Sequence, residues 1–310
     1  MAFHFSYIQE KYEEFNEHGR RYLKWTNKEK TWHYKECSVT VFGLNDGAHI
    51  VIRRERSGKS KFKKSEYRLK LMMGFTITEV TINHTDSESV LEFTVLQSQD
   101  RHHRDLKDVR ISSKNKEEII SLHQIIVEKI NNPKNEDNII FPNYSPTNSK
   151  ILPVVYQPRV DAWENFLREI NIIANGQNYQ VTLAFEGEVL RKFFLVDPFY
   201  KLYRFLKFRR TIDIETFEIR QDQFYFDNIY SNDKTLFDDS THNQKIIPIK
   251  YYFSDKNHPV VFINTSNHAL APHDNNHDFW KWEYIPWDEK TPLKSSEKSR
   301  EDTEKFYRRF

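Results

Sequence analysis

The stretch NTSNHALAPHDNNHDFWKWEYIPW, residues 264 to 287, gathers three histidines, three of the six tryptophans and the carboxylates of Asp274 and Asp278. Imidazole and carboxylate together make a suitable shell for zinc, manganese or iron. His273 and His277 are four residues apart, as are Asp274 and Asp278, so each pair would stack on one face of a helix opened by Pro272. The candidate metal set is His268, His273, Asp274 and His277, with His258 as a further ligand. A cation held there would lower the pKa of a bound water and generate a nucleophile for phosphoester hydrolysis. The competing reading is a polar connection between strands, because Asn, Asp and His bond their own backbone in loops and Asn275-Asn276 favours a turn. The following FWKWEYIPW reads as a strand with Trp280, Trp282 and Tyr284 on one face and Lys281 and Glu283 on the other. An aromatic wall beside such a loop outlines a candidate pocket at Asn267, His268, Asp274, Trp280 and Trp282, or equally the edge of a packed core.

Two basic stretches suggest a different chemistry. RRERSGKSKFKKSEYRLK, residues 53 to 70, has nine Lys or Arg against two Glu, with Phe62 and Tyr67 interleaved. Arg53, Arg54, Arg56, Lys59, Lys61, Lys63 and Lys64 are candidate contacts to the phosphates of nucleic acid or of a lipid headgroup, the alternative being a solvated loop. YKLYRFLKFRR, residues 200 to 210, read as a helix, places Lys201, Arg204 and Lys207 near one edge and Leu202, Phe205, Leu206 and Phe208 elsewhere. That suits a helix docking on a partner, a DNA backbone or a membrane surface, or a core helix whose bases reach back to solvent. Asp213 and Glu215 share a strand face in TIDIETFEIR, with Glu218 and Asp227 following, as a metal nuclease would need. With 45 acidic residues in the chain, such pairs also arise by chance.

Familiar catalytic loops are missing. The seven glycines fall in neither GxGxxG nor GxxxxGK[ST] spacing, which disfavours the two common nucleotide-binding loops, and GxSxG, HExxH and EF-hand spacings do not occur. The single cysteine, Cys37, excludes an intramolecular disulfide and any Cys-based zinc finger, and reads as a small core residue in a cytoplasmic protein. MAFHFSYIQEKYEEF has no apolar run after a basic start, so no signal peptide is expected, and no stretch of 18 apolar residues predicts a transmembrane segment. A net charge of +2 argues against a uniformly basic coat, although local patches still act. Hydrophobic residues reach only 38%, but 24 Phe, 16 Tyr and 6 Trp supply enough buried area for a core.

Steps of three and four at Phe5, Ile8, Tyr12 and Phe15 predict an amphipathic helix over residues 3–25, ending near Gly19. From residue 36 the period falls to two, and Asn45-Asp46-Gly47 marks a hairpin. Strands are expected at YRLKLMM, FTITEVTINHT, SVLEFTVLQS and KDVRISS, then a helix with Ile119, Leu122, Ile125, Ile126 and Ile130 on one face. Antiparallel strands closed by one helix resemble, at fold level, the pleckstrin-homology-like barrel, which would imply phosphoinositide or membrane-surface binding. Residues 132–153, polar with four prolines, read as a linker. Beyond it, Val160, Trp163, Phe166, Leu167 and Ile170 predict a helix ended by Gly176; YQVTLAFEG, IDIETFEIRQDQFYF, KIIPIKYYF and PVVFINTS read as strands; and Asp197-Pro198 opens a helix.

The expected fold is α+β: two units of mainly antiparallel sheet with flanking helices, at 1–131 and 154–289, and a charged tail at 290–310 that is a solvated helix or disordered. The favoured function is a non-catalytic binding or adaptor protein in a larger assembly, such as a mobile-element or antiviral accessory complex. It would contact a protein partner, and nucleic acid through its basic patches, with no cofactor. The alternative is a metal-dependent phosphoester hydrolase at 268–278, with a divalent metal as cofactor.

Overall fold

The computed structural model describes residues 3–9, 14–15, 21–22, 35–44, 47–59, 66–85, 89–93, 106–133, 139–141, 151–162, 164–189, 196–226, 236, 245–253, 256–276, 279–285 and 294–308. They are mostly sheet with few helices, an α+β class built on several antiparallel sheets. The chain divides into two compact units, Met1–Glu55 with Leu71–Glu136, and Arg56–Lys70 with Asp137–Phe310.

The first unit uses strands β1 (Phe3–Gln9), β2 (Lys35–Leu44), β3 (Gly47–Lys59), β4 (Glu66–Ile77), β5 (Thr81–His84), β6 (Ser89–Phe93) and β7 (Leu106–Ser113), then helix α1 (Lys116–Asn131). Strand order is β4-β3-β2-β1-β7-β6-β5, and no closed barrel is present among the described residues. Leu44 faces Gly47 across the hairpin that Asn45-Asp46-Gly47 predicts. Gly47 has φ 148, and a Cβ there would meet the Ile77 carbonyl oxygen at 2.4 Å, so this approach of two backbones requires glycine. α1 starts where Asn115 accepts a hydrogen bond from the Glu117 amide at 3.1 Å, and it buries Ile119, Leu122 and Ile126 while Ile125 faces solvent.

Where residues 3–25 are described, strands stand in place of the expected helix. Phe3, Phe5 and Tyr7 also alternate with period two, and as a strand the segment pairs antiparallel on both sides, Phe3 opposite Cys37 and His4 opposite Ser112. Two ladders of backbone hydrogen bonds outweigh a short helical period. Glu14–Phe15 and Arg21–Tyr22 form a further antiparallel pair.

The second unit comprises β8 (Val154–Pro158), α2 (Arg159–Ala162), β9 (Leu167–Asn175), β10 (Asn178–Phe185), α3 (Asp197–Phe208), β11 (Asp213–Arg220), β12 (Gln223–Phe226), β13 (Lys245–Pro248), β14 (Val260–Ile263), β15 (Leu270–Ala271), β16 (Lys281–Tyr284), β17 (Lys294–Ser296) and α4 (Arg300–Tyr307). One sheet runs β15-β14-β8-β16 and the other β13-β12-β11-β10-β9-β17. β8 lies parallel to β14 and antiparallel to β16, and all five of its residues are buried, as expected of a strand covered on both faces. Val155, Ile263, Trp282 and Tyr284 of the first sheet share one core cluster with Ile170, Val181, Leu183, Phe217 and Phe224 of the second.

The helix expected over residues 159–175 shrinks to the single turn of α2, and the rest becomes β9. Gly176, expected to end that helix, instead opens the two-residue loop of the β9–β10 hairpin at φ 65, with Asn175 facing Asn178. Asn175-Gly176 is therefore a hairpin signal that competed with a helical stripe. Where the tail is described it holds an ordered helix, with Glu301, Asp302, Lys305 and Phe306 exposed to solvent and one side held to the second unit. β17 pairs parallel with β9, and Ser299 caps α4 by accepting from the Asp302 amide. Thr303 is buried and accepts from Asn171 Nδ2 at 2.9 Å, and Tyr307 donates to Glu169 at 2.9 Å. No helix among the described residues is long and apolar enough to cross a membrane.

Candidate functional site

Helix α3 presents the wrong face to solvent for a helix on a folded domain. Phe199, Leu202, Tyr203 and Leu206, spaced i, i+3, i+4, i+7, are 71%, 55%, 53% and 57% exposed. Arg204 and Asp197, on the opposite side, are buried. Val196 extends the exposed apolar surface at the start of the helix, while Phe208 lies on the other side, under Arg204 and Arg210. Val196 occupies the N-cap position and lends no side-chain hydrogen bond, so Asp197-Pro198 opens the helix as its first two residues. At the other end Arg209 adopts φ 55 and returns its amide to the Phe205 carbonyl at 2.8 Å, closing the helix.

A buried network of charges holds the helix in this orientation. Arg204 Nη2 donates to Asp213 Oδ1 of β11 at 2.5 Å, and Nη1 pairs with Glu188 just beyond β10. Tyr200 donates to Glu188 at 2.9 Å from the same helix. The other oxygen of Asp213 faces His268 Nδ1 at 2.7 Å, and His268 Nε2 lies 3.3 Å from Asp161 of α2. The imidazole is fully buried and stacks on Phe185 of β10, ring centres 3.9 Å apart. His268 itself stands at φ 57 in a tight turn, its amide donating to the Thr265 carbonyl at 3.1 Å while Thr265 Oγ1 accepts from the Ala269 amide at 2.8 Å.

Asp161 is fixed in turn. Asn165 Nδ2 donates to it at 2.8 Å and Gln157 Nε2 at 2.5 Å, and Tyr284 of β16 donates to Gln157 Oε1 at 2.8 Å while accepting from the Leu167 amide at 3.2 Å. Thus Asp161, Phe185, Glu188, Arg204, Asp213 and His268 join α2, the end of β10, α3, β11 and the 264–269 turn. Each buried charge has an opposite partner, the condition under which buried ions are tolerated.

The electrostatics follow from this. Burial alone would lower the His268 pKa, but the charges and hydrogen bonds of Asp161 and Asp213 outweigh it and push the pKa up to about 9. Burial alone would raise the Asp213 carboxyl, yet the His268 hydrogen bond and the Arg204 charge hold it well below the usual carboxylate range. Desolvation and the neighbouring Asp213 charge raise Glu215 well above its ordinary value, so two carboxylates on one strand face are shifted in opposite directions. A general base needs an accessible nitrogen lone pair. His268 is protonated at neutral pH, fully buried and flanked by carboxylates at both nitrogens, so its chemistry here is that of a charge anchor.

The residues singled out from sequence are distributed differently. Of the proposed metal set, His268 is occupied by two aspartates, Asp274 pairs with Lys281 Nζ at 2.5 Å, and His273 is half-buried with its carbonyl accepting from Asn264 Nδ2 at 3.0 Å. His277 lies outside the described residues, and among the described residues no group of three or more His, Cys, Asp or Glu is placed to hold a metal ion. Of the proposed pocket, Trp280 and Trp282 are buried, Trp282 stacking on Tyr284 at 5.3 Å, and Asn267 is half-buried, accepting from Thr265. β16 is buried on both faces: Lys281 donates to the Asn276 and Phe279 carbonyls, and Glu283 accepts from Tyr156 at 2.6 Å.

Of the basic residues, Arg53 and Arg54 are half-buried on β3, and Arg53 reaches Met72 Sδ at 3.8 Å. Arg56 and Lys59 also lie on β3, while Lys61, Lys63 and Lys64 are outside the described residues. Lys201 is exposed and pairs with Asp197 at 2.6 Å, and Lys207 lies over Tyr203 and Phe208. Arg204, grouped with these two lysines from sequence, points inward and is consumed by Asp213 and Glu188. Asp161 and Phe185 went unnoticed because His268, which joins them to the site, is far beyond them in sequence, and Glu188 because no residue next to it suggests the pairing with Arg204. Comparison with known protein families, with curated proteins and with solved structures finds no match.

Proposed function

We propose that this chain is a non-catalytic binding or adaptor protein that docks a partner on the outer face of α3. The observation that carries the reading is the orientation of that helix: its central arginine, Arg204, is spent inward on Glu188 and Asp213, and its apolar stripe is left to solvent beside the exposed Lys201 and Lys207. Taking about 200 Å² for each fully exposed large side chain, the five apolar residues Val196, Phe199, Leu202, Tyr203 and Leu206 leave roughly 600 Å² uncovered. That is at the upper end of what a monomer tolerates, and patches of this size mark interaction sites. The His268 network then serves to hold a rigid helix in place, which reduces the ordering cost of docking.

The test is to replace Phe199, Leu202 and Leu206 together by serine and measure unfolding at submicromolar concentration, with uptake of an apolar fluorescent dye. A docking face predicts stability within about 0.5 kcal/mol per site, as for surface substitutions elsewhere, and a clear fall in dye uptake. Destabilisation by several kcal/mol would instead make the stripe part of the core and end this reading.

A further inference from the structure

We infer that the occupant of the α3 face is a second copy of this chain, with α3 laid antiparallel on α3 about a two-fold axis; this rests on the docking reading above. The stripe Phe199, Leu202, Tyr203 and Leu206 carries no charge within it and repeats at i, i+3, i+4, i+7, the spacing by which two helices interlock. A two-fold contact requires a patch complementary to itself. An uncharged stripe of alternating large rings and leucines meets that requirement, whereas a phosphate or an anionic headgroup finds no counterpart within it.

The ends of the helix agree with this arrangement. Asp197 sits in the first turn, and Lys207 and Arg209 sit at the last. Antiparallel pairing brings the acidic, positive-dipole end of one helix beside the basic, negative-dipole end of the other. Asp197 also pairs with Lys201 in its own helix, so the net favourable charge comes from Lys207 and Arg209 facing the partner's N-terminal turn. The roughly 600 Å² of exposed apolar surface is close to the about 800 Å² per partner of a standard stable interface.

The experiment measures the mass of the full chain by sedimentation from submicromolar to hundreds of micromolar, beside the Leu202→Lys variant. The expected result is a monomer–dimer equilibrium whose dissociation constant rises at least tenfold in the variant. A second measurement uses single cysteines in a Cys37→Ser background. Tyr203→Cys, near the two-fold, oxidises to a covalent dimer, whereas Phe199→Cys, opposite position 206 of the other copy, does not. A chain that stays monomeric at every concentration, with apolar-dye uptake that Leu202→Lys abolishes, overturns self-pairing and leaves the docking reading standing. Flotation with phosphatidylserine vesicles under those conditions would reassign the face to a membrane. A dimer indifferent to Leu202→Lys, or cross-linking equal at 199 and 203, overturns the inferred arrangement, and unchanged dye uptake in the variant overturns the docking reading as well.

Discussion

Replacing His268 by asparagine tests the charge anchor directly. Asparagine tolerates the φ of 57 that His268 adopts, so backbone strain is not introduced. What is lost is the positive charge between Asp161 and Asp213, and the ring on Phe185. Breaking a buried ion pair from one side costs about 3–5 kcal/mol, because the remaining carboxylates stay buried. The pH dependence makes the test specific. The folded pKa of about 9 lies above the unfolded value of 6.5. The charge therefore contributes fully below the unfolded pKa, and its contribution is lost as pH rises through 9. Linkage between these two values gives about 2–3 kcal/mol present at pH 7 and nearly absent at pH 10. Denaturant unfolding of wild type and His268→Asn at both pH values should show a gap of about 3–5 kcal/mol at pH 7 that narrows by about 2–3 kcal/mol at pH 10. Other groups titrate over this range in both proteins alike, so the narrowing belongs to His268. A gap that is constant with pH, or below about 1 kcal/mol at pH 7, would refute the assignment of a buried imidazolium.

Tyr284→Phe removes the hydroxyl that joins Gln157 to the Leu167 amide, and thermal unfolding should register a loss of about 1–3 kcal/mol from the unsatisfied buried groups; no change would mean that these bonds are not formed in solution. For the basic stretch at 53–70, anisotropy with a duplex oligonucleotide should show affinity that falls with salt and falls further when Lys59, Lys61, Lys63 and Lys64 become alanine. Equal affinity before and after the substitution would remove that stretch as a nucleic-acid contact.

Much of the local structure was legible because neighbouring residues decide it. Asn45-Asp46-Gly47 set a hairpin, and the isoleucines and leucine of α1 set a helix with a buried face. Segments with two competing periods were misread. Phe3, Phe5 and Tyr7 suit either a helix or a strand, and the choice falls to partners about 30 and 110 residues away, Cys37 and Ser112. The stretch after Arg159 fails for the same reason, with Gly176 serving a hairpin instead of a helix end. For the candidate site, His268, Asp213 and Arg204 each stood out in sequence, but 55 residues separate His268 from Asp213 and nothing local joins them. Leu202 and Leu206 of the α3 stripe stood out too, grouped with Phe205 and Phe208, while Phe199 and Tyr203 did not. Periodicity says that a helix has two faces; it does not say which one turns inward, and here buried carboxylates recruit the arginine side.

The loop at Gly176 offers a practical opening. Nothing lies within 4 Å of where a Cβ would stand, both loop residues are exposed, and strand pairing is complete as far as Asn175 and Asn178. A short epitope or a fluorophore-bearing peptide grafted between Gly176 and Gln177 would leave the register of β9 and β10 intact. It would give the second unit a reporter whose readout does not depend on knowing its biological counterpart.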